Sequence, residues 1–571
     1  MTSATTTAVE LRDVRFTYRG APEETLRGVD LEVEAGEFVA VMGASGAGKS
    51  TICQTLNGIV PRLAKGSFQG TVMVGGVLVS DRRIAEMAEV VGLGFQDFEA
   101  QLFSTNAELE VAFGLENMRM PREEIRERVA TVLEQVGLTG YNDRQPATLS
   151  GGQKQRLAIA SILAAQPTVV CLDEPTTDLD PVGKNEVFAI ARRLAHSGVT
   201  LIVVEHETTE ALMSDRIALV DQGRVVRIGA KEEILREAEL FEELRIMPLQ
   251  VPQLFARLGV ETRQRPLTVE EGVDRYRSDG LELDVDAHRA LLAADADRAA
   301  SYGEDVIVLD NLSHKYPTGL TAVDGATLSI RQGEFVALLG QNGSGKTTLV
   351  KHLNGLLQPT TGRISVNGKD VREHSLLSIG SHVAYVFQNP DHQIFSDTVF
   401  DEVSFALRKR HMDDDEIKVR VAEVLEAVGM SGQEEEDPFS LTKGQRQRVA
   451  VASALALRPE VLILDEPTTG LDYHEQRSMM ELVRRLNEEM GATIVVVTHA
   501  MWVVCEYAHR VVVMKNGSVV SDGTTREVFA QEEQLEGMAL VPPPVVSLSN
   551  ELGHTVLSVD EMLQITGGGA R

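Results

Sequence analysis

The amino-acid sequence predicts an α/β fold of two tandem domains, each with a mostly parallel sheet core, a helical insertion and a short C-terminal extension. Three observations carry this. The stretch "GEFVAVMGASGAGKST" (36–51) recurs as "GEFVALLGQNGSGKTT" (333–348). Short apolar runs of strand length flank these stretches. A helix-periodic segment lies between them.

The repeat comes first because it organises everything else. Lys49 and Lys346 stand 297 residues apart. Gln96 and Gln388 are 292 apart, Asp173 and Asp465 are 292 apart, and His206 and His499 are 293 apart. Such near-constant offsets mean two copies of one domain. The repeat runs on, since "ARLG" (256–259) matches "NELG" (550–553) and "LTVEE" (267–271) echoes "LSVDE" (557–561). The expected layout is therefore a first domain over 1–280, a linker over 281–305 rich in Ala and Asp, and a second domain over 306–571. Each extension is either a packing appendage or a surface that joins the halves.

The runs "EFVAVMG", "TVVCLDEP" and "TLIVVEH" are continuous and apolar, as strands covered on both faces must be. Between the first two, "PREEIRERVATVLEQVGL" (121–138) has helical apolar spacing and an acidic first turn after a proline. At 571 residues the chain is too long for one core.

Gly43 to Ser50 and Gly340 to Thr347 both fit G-x-x-x-x-G-K-[ST]. Glycines (Gly43, Gly46, Gly48; Gly340, Gly343, Gly345) let successive backbone N–H groups wrap a phosphate, and the helix that follows adds its positive end. Lys49 and Lys346 reach the β/γ-phosphates, and the hydroxyls of Ser50 and Thr347 suit Mg²⁺. Ser45, Thr51, Asn342 and Thr348 complete the loops. Asp173-Glu174 and Asp465-Glu466 end apolar strands. The aspartate can hold Mg²⁺ through water, and the glutamate can orient or deprotonate an attacking water.

With "LSGGQ" (149–153), "LDEPTT" and a histidine closing a later strand, the chain resembles the ATP-binding cassette (ABC) ATPases, a P-loop NTPase family. The resemblance covers nearly the whole chain, twice. It implies ATP and Mg²⁺ as cofactors and a head-to-tail pairing of the two cassettes within one chain. By that resemblance Gln96 and Gln388 touch Mg²⁺ and sense a membrane partner, and His206 and His499 contact the γ-phosphate. Asp180 and Asp472 belong to a loop crossing the dimer interface. Tyr18 and Tyr316 stack on adenine, although a strand tyrosine is more often packing. One composite site joins Lys346, Glu466 and His499 to Ser150, Gly151, Gly152 and Gln153. The other joins Lys49, Glu174 and His206 to Thr442, Lys443, Gly444 and Gln445. "LTKGQ" departs from the family pattern where "LSGGQ" keeps it. Lys443 then opposes a helix dipole by ~0.3–1 kcal/mol, approaches the γ-phosphate, or turns to solvent.

The stretches "FQDFEAQLFS" and "FQNPDHQIFS" further resemble the ATPase pair of energy-coupling factor (ECF) importers, which serve vitamin or cobalt and nickel uptake. That implies a transmembrane coupling protein and a small substrate-binding membrane protein as partners, with this chain peripheral on the cytoplasmic face. Glu99 and Asp391 are either docking points for the partner's arginines or solvated acids. Composition agrees with that reading: 55 Lys and Arg against 85 Asp and Glu give a formal charge of −30, which disfavours nucleic acid. No run approaches the ~20 apolar residues of a membrane span, and no signal peptide is visible. Cys53, Cys171 and Cys505 form no metal-binding spacing. The rival readings are a fused sugar-importer ATPase, disfavoured by intact motifs in the second half, and a soluble twin-cassette translation factor, disfavoured by the acidic linker.

Overall fold

The computed structural model describes residues 7–177 and 179–567. Two compact units emerge: one runs to Ala256 and includes Val260–Leu267, the other takes Arg257–Gly259 and Thr268 onward. Among the described residues, ten strands belong to the first unit. They are β1 (Thr7–Tyr18), β2 (Leu26–Glu34), β3 (Phe38–Met42), β4 (Gly66–Val74), β5 (Val77–Leu78), β6 (Val91–Gly94), β7 (Val169–Asp173), β8 (Thr200–Glu205), β9 (Arg216–Asp221) and β10 (Arg224–Ala230).

The three runs read as strands are β3, β7 and β8, buried along their full length. They are central in a sheet of order β10-β9-β3-β8-β7-β6, parallel except at the β9–β10 edge. A second sheet, β2-β1-β4-β5, is antiparallel. It went unread in the sequence because its strands alternate buried and exposed residues, as in β2, and lack continuous apolar runs.

The second unit repeats the plan with β11 (Asp305–Lys315), β12 (Thr321–Arg331), β13 (Phe335–Leu339), β14 (Thr361–Val366), β15 (Lys369–Asp370), β16 (Val383–Val386), β17 (Val461–Asp465), β18 (Thr493–Val497), β19 (Arg510–Lys515) and β20 (Ser518–Thr524). Its core sheet runs β16-β17-β18-β13-β19-β20, again with only the last pair antiparallel. Its antiparallel sheet runs β12-β11-β14-β15.

The helical insertion forms as read. Its second helix, Arg122–Gln135, starts after Pro121, carries Glu123 and Glu124 in its first turn, and buries Ile125, Val129, Val132 and Leu133 along one face. The counterpart in the second unit is Asp414–Ala427.

The linker expectation needs correction. Val285–Ser301 is a 17-residue helix, capped by Asp284 accepting from the Asp286 and Ala287 N–H groups. Alanine is the best helix former, so most of the stretch read as a linker is helical. The helix is docked on the second unit. Asp295 pairs with buried Arg526 at 2.8 Å, Arg331 donates to the Ala299 carbonyl, and His288 lies 4.6 Å from His554, ring to ring.

"LTVEE" and "LSVDE" form two matching helices, Val269–Ser278 and Val559–Ile565, capped by the Thr268 and Ser558 hydroxyls. Val269–Ser278 lies against Pro544–Glu551 within the second unit. Its Tyr276 is buried and donates to the Thr566 hydroxyl at 3.1 Å.

Candidate functional site

Each core sheet delivers a glycine loop from the C-terminal end of its central strand. After β3 the loop leads into the helix Lys49–Leu56, and after β13 into Lys346–Leu353. Gly43 can only be glycine, because a Cβ there would stand 2.2 Å from the Val220 carbonyl oxygen; at Gly340 the Met514 oxygen would be at 2.3 Å. Both lysines are buried and fold back over their loops. Lys49 Nζ donates to the Gly43 and Ala44 carbonyls at 2.8 and 2.9 Å, and Lys346 Nζ to those of Gly340 and Gln341 at 2.6 and 3.0 Å. Tyr18 and Tyr316 approach the same loops by their hydroxyls, which bond Thr51 at 3.0 Å and Thr348 at 3.1 Å.

The neighbouring strands place the acids. Asp173 and Asp465 are the last residues of β7 and β17 and are buried. Glu174 and Glu466 follow with φ of 49°, a left-handed conformation that a glutamate adopts at a cost. His206 Nε2 lies 2.6 Å from Glu174 Oε1, and Gln96 Nε2 donates to Oε2 at 2.7 Å. In the second unit His499 Nε2 is 3.3 Å from Glu466 Oε1, and the Gln388 side chain makes no hydrogen bond among the described residues. Burial pushes the Asp173 carboxyl up to about 6, partly offset by the nearby Ser50 hydroxyl. Burial also raises Glu174, but the hydrogen bond and charge of His206, with Lys49, outweigh it and hold the carboxyl below its ordinary value.

The two "LSGGQ"-type segments start helices Gly151–Leu163 and Lys443–Leu455. Ser150 and Thr442 cap them identically, each hydroxyl accepting from the N–H of Gln153 or Gln445 at 3.3 Å while the glutamine side chain accepts from the cap N–H at 3.0 Å. So Thr442 keeps the cap that Ser150 makes. The matching histidines, glutamines, acids and loops recur in both units.

A profile of the ABC transporter family matches residues 26–177 and 323–469. The chain belongs to the ABC transporter family. A relative from Caldanaerobacter subterraneus subsp. tengcongensis, named as an ABC transporter ATP-binding protein, is 53% identical over 559 residues, covering 97% of this chain and 98% of that one. One from Methanosarcina acetivorans with the same description is 40% identical, covering 98% and 93%. Among solved structures, cbiO1 from Clostridium perfringens, described as part of the ABC transporter complex cbiONQ, is 36% identical over 44% of this chain and 99% of that one, with a TM-score of 0.39.

By family and relatives the chain is an ATP-hydrolysing ABC protein with two tandem cassettes, and cassettes of this family bind ATP with Mg²⁺. The first cassette's residues fit that ion. Asp173 Oδ1 is buried with no hydrogen-bond partner among the described residues, and the Ser50 hydroxyl lies near the same carboxylate. A carboxylate, a hydroxyl and the Gln96 amide supply the hard oxygen donors that Mg²⁺ takes. Bound there, the ion would neutralise charge on the phosphates.

The cassette geometry also shows why the second signature can differ from the first. A Cβ on Gly151 would meet only Leu179, at 3.7 Å, whereas one on Gly152 would stand 3.3 Å from Gly183 Cα and one on Gly444 2.9 Å from Glu475 Oε1. The first glycine of the pair has room for a side chain; at the second, the Gly183 backbone or the Glu475 carboxylate would have to give way. Lys443 stands at the roomy position, half-buried, and makes no hydrogen bond or ion pair among the described residues.

Two features read in the sequence gain partners in the fold. Glu99 and Asp391 are exposed, and each already has a cation beside it. Lys154 Nζ lies 2.6 Å from Glu99 Oε1 and Arg446 Nε 2.7 Å from Asp391 Oδ1, each cation coming from the signature helix of the same cassette. Cys171 is core, as read, and with burial its nearness pushes the buried Cys53 thiol up.

Sequence reasoning missed a repeated aromatic feature. Phe103 and Phe113 meet edge to face at 4.7 Å, and Phe395 and Phe405 do so at 4.8 Å. Phe103 is 62% exposed and Phe395 60%. The buried carboxylates of Glu110 and Glu402 fix these loops: each accepts two backbone N–H groups, from Phe103 and Ser104 or from Phe395 and Ser396, at 2.7–3.0 Å. The signal was available as "LFS…E" and "IFS…E" at matched spacing.

Proposed function

We propose that this chain is the energy-coupling subunit of an ECF-type importer whose cargo is a vitamin or a cobalt or nickel ion. It sits at the cytoplasmic face of the membrane, on a transmembrane coupling protein that works with a small substrate-binding membrane protein. Among the described residues no helix is long and apolar enough to cross a membrane, so attachment falls to partners. The two cassettes pair head to tail within one chain. In this reading Glu174 and Glu466 activate water, His206 and His499 contact the γ-phosphate, and Asp173, Asp465, Ser50, Thr347, Gln96 and Gln388 hold Mg²⁺. Tyr18 and Tyr316 lie along adenine.

The observation that carries the membrane coupling is the repeated phenylalanine pair. Each stands exposed beyond a glutamine loop, on a segment clamped by a buried glutamate. Exposed aromatic pairs held on a rigid segment suit a hydrophobic partner helix. Both cassettes keep the glutamate, histidine and glycine loop, which favours this reading over a sugar importer with a degraded second half.

The test is affinity capture of the tagged chain from its native membrane, with Phe103→Ser and Phe395→Ser together as the variant. The expected result is co-purification of two membrane proteins, lost in the variant while ATP binding persists. Unchanged capture by the variant, or capture of a periplasmic-binding-protein-dependent permease, would refute the proposal.

A further inference from the structure

The two Mg²⁺ acids are supported differently. In the first cassette the Ser50 hydroxyl lies near Asp173 and lowers its carboxyl, without a hydrogen bond of ordinary length among the described residues. In the second, the phenol of Tyr385 donates to Asp465 Oδ2 at 2.5 Å. Tyr385 lies on β16, paired in parallel register with Ile463 of β17. It therefore sits two residues back from Asp465 on the same face of the sheet. The matching position in the first cassette is Leu93, paired with Cys171 of β7, which has no group to donate. The Tyr385 ring is itself fixed, standing edge to face with Phe387 at 4.9 Å.

We propose that Tyr385 is a positioning residue of the second nucleotide site, holding the Asp465 carboxylate in a set orientation for the divalent ion that accompanies the nucleotide. The proposal rests on the reading of Asp465 as the metal-holding acid. A hydrogen bond to the acid fixes its rotamer and leaves Oδ1 to face the ion or its water, in the way that outer partners orient metal-holding carboxylates. An aliphatic side chain leaves that orientation to the loop hydroxyl. The first cassette uses that arrangement and the second does not, so the two sites differ in how they meet the ion as well as in their signature segments. The phenol is a donor to an acceptor-only group, and Tyr385→Phe removes that donor while keeping the ring and its contact with Phe387.

The test uses the full chain with Lys49→Ala, so that the second glycine loop is the nucleotide site under study. Mn²⁺ binding in the presence of ADP is followed by electron paramagnetic resonance, with thermal unfolding in the absence of nucleotide as the folding control. Tyr385→Phe is expected to weaken Mn²⁺ binding roughly 10-fold, the lower end of the loss when such an outer partner is removed, with the unfolding temperature unchanged. Asp465→Asn is the companion variant. If Asp465→Asn weakens Mn²⁺ binding and Tyr385→Phe leaves it unchanged or tightens it, the positioning role is overturned and the metal reading stands. If Asp465→Asn has no effect, the metal reading falls and takes the proposal with it. Should Tyr385→Phe lower the unfolding temperature, Leu93→Tyr with Lys346→Ala decides: tighter Mn²⁺ binding in the first cassette supports the role, and no change overturns it.

Discussion

The Lys443 ammonium lies where a side chain on Gly470 would stand, with a Cβ on that glycine falling 2.2 Å from Nζ. The two positions have exchanged character between cassettes. The first has Gly151 in its signature and Asp178 in "TTDLD"; the second has Lys443 and Gly470 in "TTGLD". Lys443 thus turns over its own cassette's loop instead of into solvent, and Gly470 makes the room.

This relationship predicts coupling between the two sites. Gly470 has φ of 70°, so Gly470→Ala should destabilise by about 1 kcal/mol from backbone strain alone. In the presence of Lys443 the loss should be larger, and Lys443→Gly should relieve the excess. A double-mutant cycle on the unfolding free energy checks this. Additive losses would mean that the lysine moves aside freely.

Turnover should be asymmetric. Glu466→Gln removes a group worth roughly 10²–10⁴-fold in rate at the site expected to use the intact Ser150 signature. Glu174→Gln acts at the site that, in the proposed head-to-tail pairing, takes the Lys443 signature, and should lose much less. ATPase rates of both variants in the assembled membrane complex measure the difference. Equal losses, unaltered by Lys443→Gly, would remove the asymmetry.

The glutamate clamps should matter more to coupling than to nucleotide binding. Glu110→Gln and Glu402→Gln each keep an acceptor but give up the charge that two backbone N–H groups share. Each should destabilise its cassette by about 1–3 kcal/mol and loosen the phenylalanine segment. Retention of ATP binding with weaker capture of membrane partners is the expected pair of results.

His509 gives a pH dependence with a definite sign. Burial, with the nearby Arg298 charge, pushes its imidazole down to about 4. The unfolded chain therefore binds more protons than the native state between about 4 and the unfolded value near 6.5. Stability from this group is complete above about 6.5 and is lost as pH falls toward about 4, by roughly 1–3 kcal/mol. Unfolding curves across that window for the native chain and His509→Gln should diverge, the variant showing the shallower slope.

Much of this architecture is written locally and could be read. The strands β3, β7 and β8 are apolar along their length, and the glycine loops need glycine for steric reasons that spacing alone reveals. The helix Arg122–Gln135 shows its buried face in its period. Other features depend on meetings across the fold. Tyr385 reaches Asp465 from a neighbouring strand, 80 residues away in sequence. The cations beside Glu99 and Asp391 went unread because Lys154 and Arg446 lie far along the chain. The Ala- and Asp-rich linker failed for another reason: its composition suits both a helix and a tether, and Arg526 and Arg331 decide between them.

The docking of Val269–Ser278 has a consequence for how this gene could be divided. A cut at the repeat boundary after Gly280 would leave Tyr276 on one polypeptide and its partner Thr566 on the other. The first product would carry an orphaned amphipathic helix whose natural seat is beside Pro544–Glu551. Two such half-length products, made together, would have a ready handle for re-association, whereas either made alone would expose an adhesive end. A working split would fall earlier, near Leu267, where the segment that follows leaves with the half it folds upon.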